Sequence, residues 1–195
     1  MPSRILLGLA LASGLLAAEP QVFRVDTTHT VLGFKAQTVL FDVPGRFDRY
    51  KAQIKGTPAN PADAQIQLDI ETASVDTANS SRDNHLRSAD FFDAAKYPAI
   101  TFTSTKVTRE GDKVTVRGTL TMHGKSQEVD IPFTASEGMN GAGKQTWSYR
   151  ATVPLDRLAF GVGADSIAAK ISLKPQVELN LLLVGFFEAP KPAGK

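Results

Sequence analysis

The sequence predicts a mainly all-β protein, closed as an antiparallel barrel with one short helical insertion. Three observations predict it. Apolar and polar residues alternate through segment after segment, short turns join most of these segments, and no βαβ rhythm appears. About nine strand candidates result. Closing such a series into a barrel removes exposed strand edges, with an open sandwich as the competing arrangement.

Val22 to Asp26, Thr30 to Gln37 and Arg46 to Lys55 read as the first strands, the last ending at Gly56. Asn60-Pro61 marks a loop. Ile66, Leu68 and Ile70 then alternate with Gln65, Gln67, Asp69 and Glu71, giving a strand with one wet face. The block Arg82 to Phe102 is the one charged, helix-friendly stretch. Ser80 or Ser81 is its expected N-cap, and Asp83 suits a helix start. Leu86, Ala89 and Phe92 fall three apart, Tyr97-Pro98 stops the helix, and Ile100 and Phe102 begin the next strand. Such a block is expected to act as a lid or plug.

After the turn Glu110-Gly111-Asp112, the apolar phase is Val114, Val116, Leu120 and Met122. The turn His123-Gly124-Lys125 leads into Val129, Ile131 and Phe133, making a hairpin. A glycine-rich turn from Gly138 to Gly143 precedes the alternating set Trp147, Tyr149, Ala151, Val153 and Leu155. The final strand is read from Ile171 through Leu173, Val177, Leu179 and Leu181 to Leu183.

Arg4, the apolar run Ile5 to Leu16 and Ala17-Ala18 have the layout of a secretory signal over residues 1–18, predicting export to the periplasm. One domain is expected over 19–188, and 189–195 read as a flexible tail. Removing Arg4 from the 22 basic residues leaves 21 against 20 acidic ones, with charges interleaved. That pattern argues against nucleic acid as a partner and against a membrane-surface electrostatic footprint. The chain has no cysteine, so burial and sheet hydrogen bonds must hold the fold.

These residues together resemble the YceI-like family of exported bacterial proteins. The resemblance runs from Phe23 to about Phe187 on four motifs in order. They are Val25-Asp26-Thr27-Thr28-His29-Thr30 with Phe34 and Gly45-Arg46-Phe47; Arg82 to Asp93 with Tyr97-Pro98 and Phe102; Gly118 to Gly124; and Asp156-Arg157 with Phe160-Gly161. The chain departs at Gln37-Thr38, where many members carry a second histidine, and at Thr30, where serine is usual. The resemblance implies an extended eight-stranded, lipocalin-like barrel that binds a polyprenyl lipid or isoprenoid quinone. It also implies a homodimer, no enzymatic activity and no required cofactor beyond the bound isoprenoid.

The apolar phases admit two readings, packed core or tunnel wall, since small barrels either fill with side chains or hold one ligand. The resemblance favours the tunnel. Its expected lining is Phe34, Ile66, Leu68, Ile70, Phe91, Phe92, Phe102, Val114, Val116, Leu120, Ile131, Phe133, Trp147, Tyr149, Leu179 and Leu181. His29, Arg82, His85 and Arg87 are polar rim candidates, Arg being suited to phosphate. An Arg and Asp network holding the helix to the rim competes with that role. The histidines His29, His85 and His123 sit at no metal-ligand spacing, so no metal site is expected. Ser80, Ser81 or Ser88 with His85 would be the hydrolase reading, but no Gly-x-Ser-x-Gly elbow accompanies them. Gly161-Val162-Gly163 lacks the rest of a phosphate loop. A filled barrel presenting loops to a protein partner is the remaining alternative.

Overall fold

The alternating segments lie antiparallel to their neighbours and close on themselves. The computed structural model describes residues 20–58 and 60–189. Within them, eleven strands build one closed eight-stranded antiparallel barrel. The expected signal segment falls outside the described residues, as does nearly all of the tail.

Three of the eight staves are interrupted. β1 (Gln21–Val25) and β2 (Val31–Thr38) make the first, β3 (Asp42–Phe47) and β4 (Tyr50–Thr57) the second, β5 (Asn60–Glu71) and β6 (Val75–Asp76) the third. β7 (Ala99–Glu110), β8 (Lys113–Met122), β9 (Lys125–Met139), β10 (Gln145–Asp156) and β11 (Leu173–Glu188) are continuous. The ring closes because β11 pairs with β2 along its first part and with β1 along its last.

The first interruption explains the Asp26 to Thr30 motif. Asp26 Oδ1 accepts from the Thr28 N–H at 2.9 Å and the His29 N–H at 3.3 Å, an aspartate turn that satisfies the amides leaving the ladder. Thr30 then restores the wall: its hydroxyl accepts from Val184 N–H at 3.0 Å.

Inward aromatics are set against glycines. A methyl group at Gly45 would strike the Phe34 ring, and one at Gly118 would strike Phe102. Both rings therefore lie over the neighbouring strand, which is why glycine suits strand interiors here.

One end of the barrel is filled by segments between strands. α1 (Ser80–Arg87) and the turns after it enter from one side; a single helical turn, Arg157–Phe160, and α2 (Ile167–Ser172) enter from the other. Phe91, Phe160, Val162 and Ala169 pack there against Ile100 and Met122. Arg157 ties these segments down, its guanidinium donating to Val162 O at 2.7 Å and to Lys174 O and Leu173 O at 3.1 Å. Burial pushes its pKa down, and the neighbouring Asp156 charge opposes that loss.

Several boundaries differ from the sequence reading. Asn79 caps α1, accepting from Arg82 N–H at 3.0 Å, in place of Ser80 or Ser81. The helix ends at Arg87, so Ala89 and Phe92 are not on its face. β5 already begins at Asn60. Ile171 lies in α2, which Ser166 caps by accepting from Ala169 N–H at 3.2 Å. Local capping wins there over the apolar spacing that joined Ile171 to the strand.

Candidate functional site

Beyond the filled end the barrel is hollow. An apolar cavity of about 380 Å³ runs along its interior, within the roughly 300–1,000 Å³ typical of small-molecule sites. Thirteen of the sixteen expected lining residues border it: Phe34, Ile66, Leu68, Ile70, Phe102, Val114, Val116, Leu120, Ile131, Phe133, Tyr149, Leu179 and Leu181. They come from seven of the eight staves. Each points inward because its strand alternates, one side chain toward the axis and the next toward water.

Phe91, Phe92 and Trp147 do not border the cavity, which corrects their expected place. Phe91 is buried in the packed end, with the His85 ring edge-on at 4.9 Å. Phe92 stands behind the cavity wall, its ring 5.6 Å from that of Phe47, which does line the cavity. Trp147 has the inward phase but lies too near the strand's start; it packs edge-on against Phe187 at 5.2 Å at the opposite end.

None of the polar rim candidates faces the cavity either. His29 is in the first-stave turn, its Nδ1 2.7 Å from Asp26 Oδ2, and this contact holds the Asp26 carboxyl below its usual pKa. Arg82 donates to Thr77 Oγ1 at 2.7 Å and to Thr77 O at 2.8 Å. Buried Asp83 accepts from the Thr77 N–H at 2.9 Å and its hydroxyl at 2.6 Å. Arg87 donates to Ala73 O and Val75 O, both at 2.7 Å. His85 Nε2 lies 3.2 Å from Asp90 Oδ2. The Arg82 to Asp93 motif thus clamps its own helix to β6 and to the residues on either side of it. Among the described residues no three His, Asp or Glu side chains converge as a metal would require.

The first two staves supply lining that the sequence reading passed over: Phe23, Leu32, Phe47, Tyr50, Ala52 and Ile54. Tyr50, Ala52 and Ile54 alternate with Lys51, Gln53 and Lys55, so the signal was present. Tyr50 is one of two tyrosines in the wall. Its hydroxyl is buried without a hydrogen-bond partner among the described residues. The nearby Thr30 hydroxyl is already engaged with both the N–H and the C=O of Val184. Burial accordingly pushes the Tyr50 phenol up.

The wall has a slot. The β9–β10 ladder runs from Met139–Gln145 to Thr134–Arg150 and stops, although both strands continue. Pro132 and Pro154 sit in the unladdered stretch while each keeps its place in the ladder on its other side, opposite Thr115 and Glu178. A proline fits such a ladder only where its missing N–H would have pointed away from that partner. Both prolines therefore face their donor-less side to the gap. Along this gap three consecutive residues of each strand, 129–131 and 153–155, border the cavity. Three consecutive residues also border the cavity at 32–34 and 181–183, where the ladders are continuous, so the gap is marked by its missing ladder pairs and its two prolines. The β5–β7 ladder is also short, but Ser104 Oγ accepts from Ile66 N–H at 2.9 Å just beyond it and bridges that opening.

A closed β-barrel around an apolar cavity, with structural rather than converging polar residues, defines a lipocalin-like class of barrel with room for a small apolar molecule. The chain belongs to the YceI-like family, whose domain model matches residues 23–184. It is 36% identical over 181 residues to the UPF0312 protein VPA0850 of Vibrio parahaemolyticus, covering 88% of this chain and 94% of that one. It is 36% identical over 148 residues to Protein YceI of Escherichia coli O157:H7, covering 73% and 75%. Among solved structures it resembles Burkholderia cenocepacia BcnA, with a TM-score of 0.73, 30% identity, and 83% and 99% of the two chains covered. A polyisoprenoid binding domain from Saccharophagus degradans shares the fold, with a TM-score of 0.63, 21% identity, and 88% and 98% covered.

Proposed function

We propose that this protein is a periplasmic carrier of a long isoprenoid lipid, either a polyprenyl compound or an isoprenoid quinone, and performs no chemistry on it. The observation that carries this reading is the apolar cavity along the barrel, bordered by side chains of every stave. The Saccharophagus relative, described as a polyisoprenoid binding domain, supports the same ligand class. Export rests on the signal-like first eighteen residues, and assembly as a homodimer rests on the family resemblance.

Magnitudes favour a long chain. Burying roughly ten carbons gains on the order of 8 kcal/mol at about 0.8 kcal/mol per CH₂. Association itself costs roughly 4–15 kcal/mol. A short tail therefore binds weakly, and each added prenyl unit deepens binding until the cavity is full. The slot between β9 and β10 gives a longer chain, or a head group, a way through the wall. Tyr50 supplies one hydroxyl to an oxygen of the ligand.

The test is titration of delipidated protein with polyprenols and isoprenoid quinones of increasing length. Affinity should rise with length and then level off. Equal, weak binding of all lengths, or no binding at all, would refute the carrier reading.

A further inference from the structure

Among the described residues, five of the eight exposed large apolar side chains stand together at the end of the barrel that carries α1 and α2. Val39, Leu40 and Phe41, at the β2–β3 turn, are 73%, 87% and 62% exposed; Ile167 and Ile171, on α2, are each 75% exposed. The two segments touch. The Val39 N–H donates to Ser172 O at 3.1 Å, and Thr38 pairs with Leu173 across the β2–β11 ladder. Ile167 and Ile171 are one helical turn apart and share a face, while Ala169 between them is buried.

We propose that this tip docks the protein on the surface of a lipid bilayer, with the turn and the exposed face of α2 entering the interface. Two features of the tip fit an apolar phase better than water. The first is its side chains: three consecutive large apolar residues at a turn leave area exposed that the fold itself never buries. The second is its backbone. Hydrocarbon cannot hydrogen-bond a free amide, so a segment that enters it must satisfy its own polar groups. The turn does this through Thr38. Its Oγ1 accepts from the Phe41 N–H at 3.0 Å and the Leu40 N–H at 3.3 Å and donates to Phe41 O, which also accepts from the Thr38 N–H at 3.0 Å. With Val39 bonded to Ser172, every N–H from Thr38 to Phe41 is used within the protein.

Charge at the border suits an anionic leaflet. Lys170 and Lys174 flank the tip, and neither has a carboxylate within ion-pair distance among the described residues; Lys174 Nζ instead reaches Gln37 Oε1 at 3.4 Å. The neighbouring Asp42 lies 3.7 Å from Lys35 Nζ. An apolar tip with free lysines beside it is the pattern of an interfacial anchor.

None of the five side chains borders the cavity. Vesicle docking and lipid loading are therefore separable, and each can fail without the other.

The experiment is flotation of the mature protein with vesicles of phosphatidylethanolamine and phosphatidylglycerol. Wild type should float, and the double substitution Leu40→Ser, Phe41→Ser should weaken partitioning by about tenfold or more, since each buried side chain of this size contributes strongly. In a second measurement, Leu40→Trp should show a blue-shifted emission when vesicles are added. Unchanged polyprenol uptake by the serine variant would show that its barrel is intact. Wild type left in the aqueous fraction, or a serine variant that floats equally well, would overturn the proposal. So would a wild-type dimer that the serine variant converts to monomer without any vesicle binding, which would assign the tip to a second copy of the chain.

Discussion

The two halves of the barrel obey one strand pattern and end up differently. At the α1 and α2 end, side chains from the connecting segments descend into the barrel: Phe91, Phe160, Val162 and Ala169 meet Ile100 and Met122 from the strands. In the body, Phe102, Val107, Val114 and Val116 pack with partners on neighbouring staves, and the space between opposite walls stays open. The difference teaches what decides filling. Alternation makes an inward apolar face in both halves, but strand side chains of this size do not span the barrel. Only where loops add rings does the interior close.

The largest expected effect separates the two halves by stability. Phe160 is 1% exposed in the packed end, and Phe160→Ala should cost about 3–5 kcal/mol in chemical unfolding. Leu179 faces the cavity, where its outer surface already lacks neighbours, so Leu179→Ala should cost roughly 1–2 kcal/mol. Equal losses would mean that the body is packed as densely as the end.

Filling the body is the converse test. Leu68→Trp places a larger ring in the cavity and should lower polyprenol affinity about tenfold or more while stability changes by less than about 1.5 kcal/mol. A loss of stability matching the loss of binding would show that no free volume was there to fill.

The boundary between the halves gives a smaller effect. Phe92 supports Phe47 from behind, whereas His85 contacts Asp90 at the surface. Phe92→Ala should therefore speed lipid release severalfold, measured by transfer to acceptor vesicles, and His85→Ala should leave it nearly unchanged. The reverse order would return the helix motif to a direct ligand role.

Tyr50→Phe should have the smallest effect. In the empty protein it removes a buried, unpartnered hydroxyl, so stability should hold or rise by up to about 1 kcal/mol. Affinity for an oxygen-headed isoprenoid should fall about threefold to tenfold, with affinity for the matching hydrocarbon unchanged. Equal loss for both ligands would show that the ring, not the hydroxyl, makes the contact.

Much of the cavity was legible because inward phase follows from period-two alternation. Leu68, Val116, Ile131 and Leu181 needed nothing else. Phe91 and Phe92 were misplaced because they lie in turns after α1, where no period fixes direction. Trp147 has the right phase, but phase says nothing of depth along the axis. Arg82 and Arg87 look like anion binders in one dimension; only the fold shows that Thr77, Ala73 and Val75 already occupy their donors. Pro132 and Pro154 are visible in the sequence, yet the slot needs the register of β9 against β10, which no local pattern carries.

The central claim is that the hollow body holds a long isoprenoid. It is tested most directly by mass spectrometry of an organic extract from protein purified natively, without detergent. One isoprenoid lipid near one copy per cavity, missing from Leu68→Trp prepared in parallel, is the expected result. An extract free of isoprenoid, from a protein that also takes up none when it is added, would contradict the claim.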